Sequence, residues 1–314
     1  MMENTKQHTL QVDHAAAQRR LDAFLATERP ELSRSQWKIL IETGRVLRNG
    51  TVCKPNAKLK ADDEISWTLP APEPSTALPE NLPLNILYED ESVIVLNKAP
   101  GMVVHPAVGN STGTLLHGLL FHDPIFQTLE RAGIVHRLDK DTSGVIVVAK
   151  SEKALLELQR QFKERETEKE YRALIWGKPR ISGRIETLLG RHPVRRKKQS
   201  VLKEDGRNAI TTFHCLEQFP TCAWMQVNIE TGRTHQIRVH MQHIKHPIVG
   251  DTLYGRSHKG RLPIEPERQM LHAAKLSFTH PESGKRLSFE APLFDDMCAL
   301  LEALRASSTK RVGK

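Results

Sequence analysis

Cysteine is scarce in this sequence, and its pattern excludes two kinds of site. The four cysteines, at positions 53, 215, 222 and 298, show no C-x-x-C spacing, which argues against a disulfide scaffold and against a thiolate zinc site. The polar N-terminus lacks the apolar stretch of a signal peptide, and no apolar run approaches the length needed to span a bilayer. We therefore expect a soluble cytoplasmic protein with no membrane partner.

Motifs that bind cofactors are also missing. The sequence contains no glycine-rich phosphate loop, dinucleotide fingerprint or nucleophile elbow, and His117 and His122 near Ser111 form no recognisable triad. Among the later histidines, only His240 and His243 have the spacing of two ligands on one helix face, and no cysteine or acidic cluster accompanies them. Packing or RNA contacts explain these histidines better, so we expect no metal and no organic cofactor. A carboxylate is then the best candidate for the chemistry.

The charge balance, by contrast, is one-sided. The 314 residues include 46 Lys and Arg against 37 Asp and Glu, a formal net charge of +9. Such an excess favours a polyanionic partner, with RNA or DNA as the natural candidate. One loop carries a basic cluster of Arg191, Arg195, Arg196, Lys197 and Lys198. A cluster of this kind is often only a solvated surface, but on a basic chain we favour contact with phosphate.

Proline marks the boundary between two parts of the chain. The stretch 69–83 contains five prolines in fifteen residues, which sustain neither a helix nor a central strand, so it predicts a semi-rigid linker. The chain is long enough for two domains. We expect an N-terminal extension over 1–18, a small domain over 19–68, a large domain over 84–305 and a basic flexible tail over 306–314.

The small domain has the pattern of two helices and a hairpin. Apolar residues follow helical spacing in two segments, Leu21, Phe24 and Leu25 in the first and Trp37, Leu40 and Ile41 in the second. Ser33 or Ser35 is expected to cap the second helix and Gly44 to end it, and Asn49-Gly50 is a strong hairpin signal. Ten Lys or Arg lie between residues 19 and 60 against four acidic residues. A compact basic unit of this kind suits the backbone of a nucleic acid.

This segment resembles an S4 RNA-binding domain. The resemblance rests on Arg20-Leu21-Asp22 with Leu25, on Ser33-Arg34-Ser35, Ile41, Gly44 and Val46, and on Val52-Cys53 after Asn49-Gly50. In that family the two helices present basic residues to structured RNA. The resemblance therefore implies RNA contacts by Arg20, Arg34 and Arg45.

The large domain alternates predicted strands and helices. Strands are expected over 93–97, 144–149, 171–177 and 222–229, and helices with their apolar faces at Leu155, Leu158 and Phe162, at Ile237, Met241 and Ile244, and at Met297, Leu300, Leu301 and Leu304. Ser151 and Thr234 are expected to cap the first two helices. Because long crossover helices do not follow each strand, we expect an α+β fold with a mixed, mainly antiparallel sheet.

One segment of the large domain concentrates titratable groups. The residues His136 to Gly144 place Asp139 and Asp141 among cationic side chains, directly before an apolar run over 145–149. A carboxylate beside fixed cations stays ionised, which suits a nucleophile or a general base better than a proton donor. The alternative is a charged turn on a solvated face, and the charge pattern alone favours that alternative.

Two further residues each allow two interpretations. Tyr171 opens a strand, where an aromatic residue is more often a core or cross-strand contact than a functional one. Arg238 lies about 100° around its helix from Ile237, at the edge of the buried face. From there the guanidinium can reach a buried carboxylate or extend to solvent.

Almost the whole large domain, from Leu87 to Pro292, resembles the RluA family of pseudouridine synthases, and within it the RluD type. The matching motifs are Leu96-Asn97-Lys98 with Gly101, Val104-His105-Pro106, His136 to Gly144, Lys169-Glu170-Tyr171 and Glu230 to His240. The resemblance implies that Asp139 is the essential aspartate, that Tyr171 stacks on the target base and that Arg238 pairs with the aspartate. It also implies that Arg137, with His136 beside it, helps to displace the uridine from its helix. The basic residues Arg195, Arg196 and Lys197 are expected to contact RNA.

The activity that this resemblance implies is the isomerisation of specific uridines to pseudouridine, without a cofactor. The N1–C1′ bond breaks, the uracil rotates, and a bond to C5 forms. Asp139 could attack C1′, attack C6 or abstract the 2′ proton, and the sequence leaves all three open. The expected partner is large-subunit ribosomal RNA or its precursor particle, with the protein as a monomer. The alternatives are a synthase for another rRNA or tRNA site, and a non-catalytic S4-type RNA-binding or ribosome-assembly factor.

Overall fold

The computed structural model describes residues 7–29, 32, 34–69, 77–107, 109–195, 198–255 and 260–312, with side chains as far as residue 308. The chain forms two compact units, Met1–Pro74 and Ser75–Lys314. Ser33, Arg196 and Lys197, which the sequence suggested for a helix cap and for RNA contacts, lie outside the described residues. Within the described part of the chain, no helix combines the length and the apolar character needed to cross a membrane.

The first unit is a four-stranded antiparallel sheet covered by two helices. Its elements are β1 (Gln7–Gln11), α1 (Leu21–Glu28), α2 (Arg34–Glu42), β2 (Val46–Arg48), β3 (Thr51–Val52) and β4 (Glu64–Thr68), and the strand order is β1-β4-β2-β3. The two predicted helices and the hairpin are confirmed. Ser35 lies inside α2 and does not cap it.

The core of the first unit contains the residues that the helical spacing selected. Leu21, Phe24 and Leu25 of α1 and Trp37, Leu40 and Ile41 of α2 are all buried in one apolar cluster. The Trp37 ring meets Trp67 of β4 edge-on, with centroids 5.5 Å apart. Each helix therefore buries one apolar stripe on the sheet, as an amphipathic helix must.

The N-terminal segment is more than an extension. Strand β1 pairs along its full length with β4, from Gln7 opposite Thr68 to Gln11 opposite Glu64. The expectation that residues 1–18 stand outside the small domain is therefore wrong for Gln7–Gln11. This strand is short and carries little alternation of apolar residues, and its place is decided by a partner more than fifty residues away.

The second unit is built on one ten-stranded sheet. Its strands are β5 (Ile86–Glu89), β6 (Val93–Lys98), β7 (Ser143–Ala149), β8 (Glu168–Trp176), β9 (Ser182–Arg191), β10 (Gln199–Leu202), β11 (Arg207–Gln218), β12 (Cys222–Ile229), β13 (Leu271–Thr279) and β14 (Arg286–Glu290), and its helices are α3 (Leu115–His122), α4 (Glu152–Glu164), α5 (Gln236–His243) and α6 (Asp295–Val312). The strand order is β10-β9-β11-β12-β8-β13-β7-β6-β5, with β14 on β13. Only β13 and β7 pair in parallel among the described strands, so the predicted mixed, mainly antiparallel sheet is confirmed.

Side-chain parity decides which helix covers which face of this sheet. On β8, Ala173 and Ile175 pack with Ile237 and Met241 of α5, whereas Leu174 packs with α6. Successive residues of a strand point to opposite faces, so Tyr171, which has the parity of Ala173, faces the α5 side. The fold therefore places Tyr171 and the residues of α5 on the same face.

Two helix ends differ from expectation. The N-cap residue of helix α5 is His235, whose side chain makes no capping hydrogen bond. The predicted Thr234 cap is therefore wrong. Helix α6 continues to Val312, although we expected a flexible tail from residue 306. Ser307 and Ser308 donate hydrogen bonds to the carbonyl oxygens of Ala303 and Leu304, which is the usual arrangement for serines that stay within a helix.

Candidate active site

The loop that carries Asp139 is held by hydrogen bonds from other side chains to its backbone carbonyl oxygens. The buried ammonium of Lys98 donates hydrogen bonds to the carbonyl oxygens of Ala99, Met102 and Lys140 at 2.7–3.0 Å, and Arg268 donates to the carbonyl oxygen of Asp141 at 3.0 Å. Burial lowers the pKa of Lys98 to about 7, against the opposing charges of Asp141 and Asp139. The bonds to the carbonyl oxygens of Lys140 and Asp141 come from distant parts of the chain and hold the loop in place, as precise chemistry requires.

Gly144 ends this loop where β7 begins, and no other residue fits there. Its φ is +117°, and a Cβ atom would lie 2.1 Å from the carbonyl oxygen of Ala273 on the neighbouring strand. Glycine is the residue that permits such a close approach of two backbones. Ser143 and Gly144, the first two residues of β7, are therefore the point where the loop joins the sheet.

Asp139 is held by Arg238. The guanidinium donates from Nη1 to Asp139 Oδ2 at 2.9 Å, and from Nε and Nη2 to the two oxygens of Asp251 at 2.7 and 3.0 Å. Burial alone would lower the pKa of Arg238, but the hydrogen bonds and charges of Asp251 and Asp139 raise it. Arg238 is therefore a permanent cation, and of its two possible positions it takes the one beside a carboxylate.

Asp251 is the residue that the sequence analysis missed. Its side chain is fully buried and also accepts hydrogen bonds from the backbone N–H groups of Leu253 and Tyr254 at 2.9 Å. Four donors therefore satisfy the oxygens of this buried side chain, as a buried polar group requires.

Tyr171 lies in the same cleft. Asp139, Tyr171 and Arg238 line one open pocket, together with Arg137, Arg233 and His235. Burial first, and the charge of Asp139 second, raise the pKa of the Tyr171 hydroxyl, so the phenol stays neutral. The structure thus brings together the three residues that the sequence selected from positions far apart in the chain.

His235 lines the cleft beside Asp139, and its contact with Tyr254 determines which ring nitrogen carries the proton. Tyr254 is 3% exposed, and its hydroxyl oxygen accepts the backbone N–H of Gln199 and lies 2.8 Å from His235 Nδ1. Among the described residues the hydroxyl has no other acceptor, so it donates to Nδ1, and the neutral imidazole carries its proton on Nε2. Burial lowers the pKa of His235, against the opposing charge of Asp139, so the ring is neutral at pH 7.

The Nε2 donor of His235 faces Asp139 without reaching it. It lies 3.8 Å from Asp139 Oδ1, beyond the range of a hydrogen bond. One oxygen of Asp139 is thus bound to Arg238, and the other faces a neutral donor across a gap.

His136 and Arg137 have different environments although they are adjacent. The His136 ring stacks on Phe162 with centroids 4.5 Å apart, and its Nε2 accepts the backbone N–H of Val147 at 3.1 Å. Burial and the charge of Lys169 lower the pKa of His136 to about 3. These contacts hold the ring in place, and the predicted part of His136 in displacing the uridine stays a prediction. Arg137 is exposed at the cleft.

The other basic residues proposed for RNA contact lie in different parts of the structure. In the first unit, Arg20 and Arg34 both donate to the buried carboxylate of Asp22, while their side chains stay about half exposed. Arg45 is exposed. In the second unit Arg195 lines a different pocket from that of Asp139.

The two histidines with metal-ligand spacing are not arranged for a metal. His240 is buried and its ring nitrogens contact the hydroxyls of Thr187 and Thr211 at 3.0 and 2.8 Å. Across the described part of the chain, no group of three or more His, Cys, Asp or Glu side chains could hold a metal ion. Packing accounts for His240.

Comparisons with known proteins agree with this geometry. The family model described as RNA pseudouridylate synthase matches residues 92–243, and the S4 domain model matches residues 19–65. The chain belongs to the RNA pseudouridylate synthase family, and it is an enzyme that isomerises uridine in RNA. The S4 assignment is confirmed, and the alternative of a non-catalytic RNA-binding factor is not supported.

Particular relatives are similar over most of the chain. A ribosomal large subunit pseudouridine synthase D from Neisseria meningitidis serogroup A is 46% identical over 294 residues, which are 91% of this chain and 79% of the relative. The protein of the same name from Xanthomonas campestris pv. campestris is 42% identical, over 95% of this chain and 93% of the relative. The solved structure of human RNA pseudouridylate synthase domain containing 1 has a TM-score of 0.54 and 27% identity, covering 71% of this chain and 95% of that one.

Proposed function

We propose that this enzyme isomerises uridines in large-subunit ribosomal RNA and that Asp139 is its catalytic carboxylate. The observation that carries the proposal is the placement of Asp139, Tyr171 and Arg238 around one cleft, with Asp139 bound to Arg238 at 2.9 Å. The names of the relatives support the ribosomal substrate.

In this proposal each residue of the cleft has its own role. Asp139 presents one oxygen to the substrate while Arg238 binds the other, so the carboxylate is oriented before the uridine arrives, and preorganisation of this kind lowers the cost of reaching the transition state. The Tyr171 ring offers a flat surface to a uracil that has left its stack, since flipped bases are usually received by aromatic side chains. Arg137, exposed at the mouth of the cleft, assists the extrusion of the uridine.

The first unit supplies affinity for structured RNA. Arg20 and Arg34 are oriented by Asp22 but keep half of their surface exposed, and Arg45 is exposed nearby in sequence. Phosphate contacts of this kind position a protein on RNA and do not select a sequence. We assign the choice of uridine to the second unit and the general affinity to both units.

The test is to incubate the protein with unmodified large-subunit rRNA and to map pseudouridine chemically. Wild type is expected to form pseudouridine at discrete positions, and Asp139→Asn is expected to form none above background, because an amide is neither a nucleophile nor a base. Asp141→Asn is the matched control, since Asp141 is two residues away and its carboxylate makes no hydrogen bond within the described structure; it should retain activity. Full turnover by Asp139→Asn would refute the role of Asp139, and modification of tRNA but not rRNA would refute the substrate.

A further inference from the structure

A second cavity adjoins the active-site cleft, and its charges are of one sign. It shares Arg137, Tyr171 and Arg233 with the cleft, and adds Arg131 and Lys169. Its volume is about 330 Å³, within the range of pockets that hold small ligands. Among the described residues that line it, four are Arg or Lys and none is Asp or Glu.

None of the four cations of this cavity is paired with a carboxylate among the residues that the structure describes. In the described structure, the side chains of Arg131 and Arg137 make no hydrogen bond or ion pair, and Lys169 contacts only the Phe162 ring, at 5.7 Å. Arg233 donates one bond, from Nε to the carbonyl oxygen of Asn208. Arg131 and Arg137 are exposed at the rim, whereas Lys169 and Arg233 are half-buried. Charged side chains that are partly removed from water are normally paired, and these two have no carboxylate partner in the described part of the chain.

The electrostatic environment agrees with the geometry. Burial and the charge of Arg165 lower the pKa of Lys169 to about 8, and burial together with Arg207 and Arg165 lowers the pKa of Arg233. No carboxylate offsets these effects. A bound anion would favour the charged forms of both side chains.

We propose that this cavity, lined by Arg131, Lys169, Arg137 and Arg233, binds a phosphodiester of the RNA strand that carries the target uridine, next to that uridine. The inference rests on the proposed function, because it takes the RNA substrate as given. The uridine enters the cleft still joined to its strand, so an adjacent phosphate must lie beside the cleft. Tyr171 lines both cavities, so a base that contacts its ring in the cleft has its adjacent phosphate within reach of the second cavity.

The experiment removes the two cations that only this cavity contains. Arg131 has a left-handed backbone with φ 53°, so Arg131→Asn removes the charge and keeps a residue type that tolerates this conformation. Lys169→Met keeps an unbranched apolar stem against Phe162. The control is Lys285→Met, a lysine of the β13–β14 turn that lines neither cavity.

The RNA substrate is altered as well, at the phosphates on either side of the target uridine. A synthetic stem-loop with the mapped uridine is made with one uncharged methylphosphonate linkage, either 5′ or 3′ of that uridine. Affinity is measured by fluorescence anisotropy over a series of salt concentrations, and product formation is measured separately. In wild type, one of the two linkages should weaken binding roughly tenfold or more, as expected for lost charge-assisted hydrogen bonds.

The double variant Arg131→Asn/Lys169→Met should bind unmodified RNA correspondingly weakly, with a salt slope reduced by about one, and should be insensitive to the methylphosphonate. The control should respond to it as wild type does. Equal sensitivity of wild type and double variant at both linkages would overturn the proposal, because the two changes would then be independent. A wild type that binds but forms no pseudouridine would instead contradict the proposed function, so the two failures are distinguishable.

Discussion

The buried pair of Asp251 and Arg238 makes Asp251→Asn the most informative single substitution. The amide can still accept the backbone N–H groups of Leu253 and Tyr254 through its oxygen. Its NH2 group, however, then faces Arg238 Nε, which donates to Asp251 Oδ2 at 2.7 Å in the native protein. Two donors cannot bond to each other, so the guanidinium loses at least one of its two bonds to this side chain.

The cost follows from the burial of both partners. Arg238 is 7% exposed, and the Asp251 side chain is fully buried. Removing one partner of a buried pair typically costs 3–5 kcal/mol, and because Arg238 keeps Asp139 as a second partner we expect about 3 kcal/mol. Arg238 would also turn away from its present orientation, and a displaced catalytic carboxylate lowers the rate about 100-fold.

Stability is measured by urea unfolding followed by circular dichroism, and activity by the initial rate of pseudouridine formation. The control is Glu282→Gln, which removes an exposed ion pair with Lys153 and should change the free energy of unfolding by less than about 1 kcal/mol. If Asp251→Asn is as stable and as active as this control, Asp251 does not orient Arg238 and the reasoning is refuted.

Three further predictions follow from other contacts. His235→Phe should lower the rate roughly tenfold, whereas His235→Gln, which keeps an N–H donor, should lose less; equal losses would contradict a donor role. His136 has a folded pKa of about 3, so unfolding takes up a proton below pH 6.5. Stability should therefore fall on acidification from pH 6.5 towards 3, by up to about 1.4 kcal/mol per pH unit from this group. Urea titrations should show a shallower fall for His136→Gln, and identical slopes would exclude the effect. Deleting residues 1–75 should weaken RNA affinity and its salt dependence without unfolding the second unit, because the first unit has its own core; circular dichroism of a disordered fragment would contradict this.

Local patterns predicted local structure well. The spacing of Leu21, Phe24 and Leu25 placed α1, and Ser151 caps α4 by accepting the backbone N–H of Ala154. Such features depend on residues within one or two turns of each other, so a sequence window contains all of their causes. The same window could not place β1, whose partner β4 lies at the other end of the first unit.

The residues of the candidate site also differ in whether the sequence could select them. The motif from His136 to Gly144 and the resemblance that it carried selected Asp139, Tyr171 and Arg238. Asp251 escaped because no local pattern distinguishes a buried carboxylate from an exposed one. Its role depends on Arg238, thirteen residues earlier, and on a turn that folds its own backbone N–H donors onto its side chain.

By itself, the sequence determined that this is a basic, two-domain α+β protein with a charged loop before a buried strand, because charge, periodicity and motif are properties of neighbouring residues. Charge pattern left Asp139 and Asp141 equivalent, and the resemblance selected Asp139. Only the tertiary structure shows how the surroundings of the two carboxylates differ. The parity of β8 and the packing of α5 bring Arg238 to Asp139 across 99 residues of sequence, while only the backbone of Asp141 is bound, by Arg268. Strand order and side-chain parity are set by the whole sheet. They therefore place the two carboxylates in different surroundings, although charge pattern alone leaves them equivalent.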